Sequence, residues 1–101
     1  MANFIVHVEL HGATSEDYSV LDTAMENAGY TRTIVNAGRY TFQLPPAEYV
    51  TSSFVDCDSA RDKAYNVAVM VCQNSGLITR NPSIVAAEFT SLTWMNLEEV
   101  C

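Results

Sequence analysis

Residues 3–11, NFIVHVELH, alternate without a break: Phe4, Val6, Val8 and Leu10 fall on one side, Ile5, His7, Glu9 and His11 on the other. A period of two describes a strand, since the faces of a helix recur every 3.6 residues. One side of that strand is wholly apolar and has to be covered by another layer. The other side carries two histidines and a glutamate, so what lies next to it decides what it does.

The covering layer reads as two helices. Thr14 is a helix N-cap, followed by Glu16 and Asp17 in a first turn where carboxylates meet the positive end of the helix dipole. Tyr18, Leu21, Ala24, Met25 and Ala28 recur at helical spacing, and Gly29 supplies the left-handed residue that ends a helix, which predicts a helix over residues 15–28. Asp56 or Asp58 caps a second helix, in which Ala60, Ala64, Val67, Ala68 and Val71 form a stripe of small residues closed by Ser75 and Gly76.

Between the helices, YTRTIVNAGRYTFQL reads as a hairpin around Asn36-Ala37-Gly38. Pro45-Pro46 ends its second arm, because proline cannot donate to a ladder. The aromatic side of that arm, Tyr40, Phe42 and Leu44, belongs to the core, and AEYVTSSF is a short edge strand or an irregular crossing. SIVAAEFT reads as a last strand of buried character, and Trp94 and Leu97 fold back on the body. The order strand, helix, strand, strand, helix, strand with right-handed crossovers predicts a single α+β domain over residues 1–101. That order is a ferredoxin-like sandwich, βαββαβ, with a four-stranded antiparallel sheet and two helices on one face. His7, Glu9 and His11 then lie on the open face, beside Arg39, Thr41 and Gln43 of the third strand.

Five basic residues against twelve acidic give a net charge of −7, and the first 31 residues contain no Lys or Arg. Such a balance repels phosphate backbones and anionic lipid. Asp22 and Glu26, four apart on the outer face of the first helix with no cation among them, centre an acidic surface suited to a basic partner. The three cysteines lack paired spacing, which fits a reducing, cytoplasmic setting. The N-terminal stretch lacks the basic region of a signal peptide, and the longest apolar run, Val67–Cys72, is too short to span a membrane.

A metal at the histidine stripe is disfavoured by spacing. Residues four apart on a strand are separated by about 13 Å, so His7 and His11 cannot share one ion, and the chain has no other histidine. DCDSARD lacks the glycine and the alternating oxygen ligands of a calcium loop. No phosphate-binding loop, dinucleotide fingerprint or nucleophile elbow is present, so neither metal nor cofactor is expected. Two readings of the open face remain. His7 and Glu9 can act as base and orienter on RNA, with Arg32 or Arg39 facing the phosphate. Alternatively, the same stripe, with His11 and Arg39, is a docking surface or simply the wet side of a sheet.

The segments MANFIVHVELHGATSEDY, AMENAGYTRTI, YTFQLPPAEY and TWMNLEEV together resemble, over nearly the whole chain, the GhoS family of endoribonuclease antitoxins from type V toxin–antitoxin systems. The resemblance implies a ferredoxin-like fold, similar to the nuclease subunit of CRISPR adaptation. It also implies cleavage of a toxin messenger, with RNA as partner and Arg32 of GYTRTI as the candidate basic residue. A different class is a non-catalytic acidic module, such as a phage or mobile-element inhibitor docking on a basic surface of a bacterial defence complex. Both allow a homodimer through the open face or an edge strand.

Overall fold

The computed structural model describes residues 2–35, 38–76 and 81–100. Asn36 and Ala37 of the expected hairpin turn, and Cys101, lie outside the described residues. The alternating stretch forms strand β1 (Asn3–Glu9), with Phe4, Val6 and Val8 fully buried and Asn3, His7 and Glu9 exposed.

Helix α1 (Ser15–Asn27) begins at a capping box: the Thr14 hydroxyl accepts from the Asp17 N–H at 3.3 Å, and the Asp17 carboxylate accepts from the Thr14 N–H at 2.9 Å. Gly29 follows it in the left-handed region at φ +100°. Asp56 caps helix α2 (Cys57–Asn74), its Oδ1 accepting from the Ser59 N–H at 2.8 Å. All five residues of the small-residue stripe are buried.

The other strands are β2 (Thr33–Val35), β3 (Thr41–Gln43), β4 (Glu48–Thr51), β5 (Ser83–Phe89) and β6 (Glu99–Val100). With the helices they make an α+β architecture of two antiparallel three-stranded sheets, β4–β1–β5 and β2–β3–β6, instead of the single four-stranded sheet predicted. β1 is the middle strand of its sheet, pairing Val6 with Tyr49 on one side and with Ala86 on the other.

The arm expected beside β1 lies elsewhere, for a local reason. Pro45 and Pro46 stop it, and Ala47, at φ 67°, redirects the chain so that its carbonyl accepts from the Val8 N–H at 2.9 Å. The ladder then resumes with Glu48–Thr51, the segment that was ambiguous in sequence. Thr41 and Gln43 consequently pair in the second sheet and are not neighbours of His7. The two sheets meet at one bridge, where Thr31 and Val50 exchange both backbone hydrogen bonds at 2.8 Å.

Two further expectations change. Phe42 packs on Trp94, with ring centroids 5.7 Å apart, and Tyr40 is exposed, so neither joins the main core, although the tail does fold back as expected. β5 is an outer strand with Val85 66% exposed, because the sheet ends there and only its inner side meets α2.

The core lies between the β4–β1–β5 sheet and the helices, where Phe4, Val6, Val8, Leu21, Met25, Tyr30 and Tyr49 retain no exposed surface. Each buried Val, Leu or Phe contributes about 1.5–3 kcal/mol. The two tyrosines are the largest of these side chains, and each phenol has an acceptor: Tyr30 donates to the Ala60 carbonyl and Tyr49 to Asp22 Oδ1, both at 2.6 Å. Among the described residues no helix is long and apolar enough to cross a membrane.

Burial pushes the Tyr30 phenol up to about 12. It also pushes Tyr49 up, with the Asp22 carboxylate adding to the effect. A phenol whose folded value lies above the unfolded value of about 10 stabilises the fold below that pH and loses its contribution as pH rises towards the folded value. Urea titrations should therefore show stability falling steeply between pH 10 and about 12. Tyr30→Phe should flatten that fall while costing about 1 kcal/mol at neutral pH.

Candidate functional site

The face of the sheet away from the helices carries Ile5, His7 and Glu9 from β1. Val50 and Glu48 of β4 flank them on one side, and Ala87, Val85 and Ser83 of β5 on the other. His7 is exposed and stands between Glu48 and Val85. Glu9 Oε2 lies 3.9 Å from His11 Nδ1, and the other ring nitrogen of His11 hydrogen-bonds Ser83 Oγ at 2.8 Å. His11 is thereby held at the end of the β1–β5 ladder with its side chain 14% exposed. Arg39 is exposed ahead of β3 at φ 67° and takes no place in this group.

Arg32 lies on the opposite side of the sheet. Its neighbour Thr31 pairs with Val50, and alternation turns Arg32 under α1. There Nη1 donates to Asp22 Oδ2 at 3.2 Å and Nη2 donates to the Leu44 carbonyl at 2.7 Å. Asp22 also accepts the Tyr49 hydroxyl, so one carboxylate joins α1, β4 and the segment leading into β2. The Arg32 side chain is 15% exposed and its Nε is buried without a hydrogen-bond partner. Asp22 is therefore not the unpaired outward carboxylate that the helix pattern suggested: its cation arrives from ten residues along the chain, outside any helical register. Glu26 remains exposed, at the rim of a depression of about 570 Å³ that Asp22, Arg32, Thr33 and Gln43 also line.

The residues proposed for phosphoryl chemistry are thus separated, His7 and Glu9 on the open face and Arg32 beneath α1. A cleft of about 710 Å³ between the two sheets is lined by Thr31, Thr33, Val50, Ser53, Phe89 and Trp94 among others, and among the described residues no charged side chain contributes to it. Among the described residues no three His, Cys, Asp or Glu side chains come together as a metal ion requires. Two participants had no recognisable sequence signal. Ser83 meets His11 from 72 residues away, and Tyr49 sat in the segment that proline punctuation left ambiguous.

Removing Asp22 leaves a largely buried guanidinium unpaired and takes the acceptor from Tyr49. Allowing for partial exposure, Asp22→Ala should cost roughly 2–4 kcal/mol by chemical denaturation. Asp22→Leu combined with Arg32→Met and Tyr49→Phe should recover most of that loss. A cost below about 0.5 kcal/mol would show the pair to be an ordinary surface ion pair.

No family model matches this chain, and comparison with curated proteins and with solved structures finds no match to it.

Proposed function

We propose that this chain is a non-catalytic binding module whose acidic α1 surface docks on a basic surface of a partner protein. The observation that carries this reading is the position of Arg32. The cation best suited to a phosphate is already held by Asp22 and the Leu44 carbonyl, on the side of the sheet away from His7 and Glu9. Arg61 is likewise occupied, by Asp62 at 2.9 Å and Asp58 at 3.5 Å. With Arg32 and Arg61 engaged by carboxylates and a net charge of −7, the molecule turns carboxylates outward, Glu16 and Glu26 on α1 among them. That surface repels nucleic acid and complements a protein that grips nucleic acid. The class this fits is a phage or mobile-element inhibitor of a defence complex, acting in the cytoplasm.

The scaffold is ferredoxin-like in this reading. Its support is the spatial order β5, β1, β4 and then the Thr31 bridge leading into β2, with α1 and α2 as the two crossovers. The second sheet is an extension of the hairpin beyond that bridge.

A second reading is the endoribonuclease antitoxin implied by the resemblance to the GhoS family. One contact favours it: Glu9 beside His11 is an orienter next to an imidazole base.

The docking reading is tested on Glu16→Lys with Glu26→Lys, which spares Asp22 and the core. Capture of nucleic-acid-binding proteins from a nuclease-treated host lysate at moderate salt should fall about tenfold, or 1.4 kcal/mol. Undiminished capture by the folded variant excludes α1 as the contact. Purified wild type should leave toxin transcripts intact. Cleavage that His11→Ala abolishes without unfolding the chain would establish the second reading in its place.

A further inference from the structure

β5 ends its sheet, and among the described residues no strand pairs with its outer edge. It is seven residues long, with the sequence SIVAAEF, and contains neither lysine, proline nor more than one charge. Monomeric proteins normally protect such an edge with those devices, because its unpaired N–H and C=O groups form a template for another strand.

The direction of those groups follows from the ladder. The Val8 N–H bonds Ala47 on the β4 side, so by alternation the backbone groups of Ile5, His7 and Glu9 face β5. Their partners Ala87, Val85 and Ser83 use their own groups towards β1. Ile84, Ala86 and Glu88 therefore point theirs outward.

We infer that β5 is the contact of a homodimer, in which two copies pair antiparallel through this edge about a twofold axis at Ala86. The axis position is the one that uses every outward group within the strand. Ala86 pairs with its own copy and Ile84 with Glu88 of the partner subunit, giving six backbone hydrogen bonds. An axis at Val85 brings Glu88 opposite Pro82, which has no N–H, and an axis at Ala87 runs past the strand end to Thr90. With the axis at Ala86 the single charge, Glu88, never faces its own copy.

Packing above the sheet agrees. α2 lies over β1 and β5. At a strand spacing of about 4.8 Å, its axis is roughly 5 Å from the twofold, so the two α2 helices run about 10 Å apart, a helix-packing distance. α2 also packs against α1, and Cys72 is buried in the core on one flank of α2. Met70 is about 200° around the helix from Cys72, on the flank overhanging the β5 edge, and is 60% exposed. The dimer covers it, and on the open face it sets Val85 against Ala87 of the partner subunit. This contact is independent of the α1 docking surface, which lies on the β4 side.

Sedimentation equilibrium of the full chain should give twice the 11.1 kDa chain mass at micromolar concentration, more firmly at higher salt because each copy is anionic. Ala86→Pro removes an outward N–H without touching the β1 ladder and should halve the mass with an unchanged circular dichroism spectrum. If that variant fails to fold, Met70→Glu, on an exposed position, should halve it instead. Val85 and Ala87 are opposed at a narrow, non-hydrogen-bonded position across the axis. Oxidising a mixture of Val85→Cys and Ala87→Cys proteins should then link unlike chains, while neither protein links alone beyond the wild-type background. A monomeric wild type, a dimer indifferent to both Ala86→Pro and Met70→Glu, or self-linking of Val85→Cys alone would each overturn the assignment.

Discussion

The ion pair between Asp22 and Arg32 is the interaction on which the remaining architecture depends. Among the described residues the two sheets share one backbone bridge, Thr31–Val50, and Arg32 is the residue immediately after it. Its guanidinium reaches α1 through Asp22 and the end of the β3 arm through the Leu44 carbonyl, while Tyr49 ties the same carboxylate to β4. A largely buried pair of this kind gains little net stability, since desolvation offsets most of the Coulomb attraction. Its effect here is positional. Through Nη1 and Nη2 of Arg32 the segment leading into β2 is tied both to α1 and to the end of the β3 arm.

Using an arginine as an internal tie has an electrostatic consequence. The chain has few cations to begin with, and Arg32 and Arg61 are spent on neighbouring carboxylates. The outward field is accordingly negative, which suits a protein surface better than a phosphate backbone. The histidine stripe, although rich in chemistry-bearing types, has Glu48, Val85 and Ser83 as its ladder neighbours, none of them a cation. The tail adds to this by lying over part of the open face, with Leu92, Trp94 and Leu97 close to Ile5 and Ile34. What stays uncovered is the β5 side, apolar at Val85.

Legibility in the sequence follows the range of each interaction. The β1 alternation, the Thr14 capping box, the Gly29 stop and the α2 stripe are read within windows of a few residues, and each lies where the pattern put it. Pro45-Pro46 was legible as a stop but not as a restart, because the left-handed turn at Ala47 carries no glycine to announce it. SIVAAEFT looks like a buried strand since Ile84, Val85 and the alanines form an apolar run, and a run cannot say whether a further strand lies beyond it.

By itself, then, the sequence determined the elements and the faces they bury, because hydrophobic period and capping act between residues that are close along the chain. Tertiary structure alone decided which strands became neighbours, which carboxylate received Arg32 and what surrounded His7, Glu9 and His11. Those outcomes join residues 10, 27 and 72 positions apart. Groups so far apart meet only when packing of the core brings their elements together, and the balance of desolvation and pairing that fixes them exists only once it has.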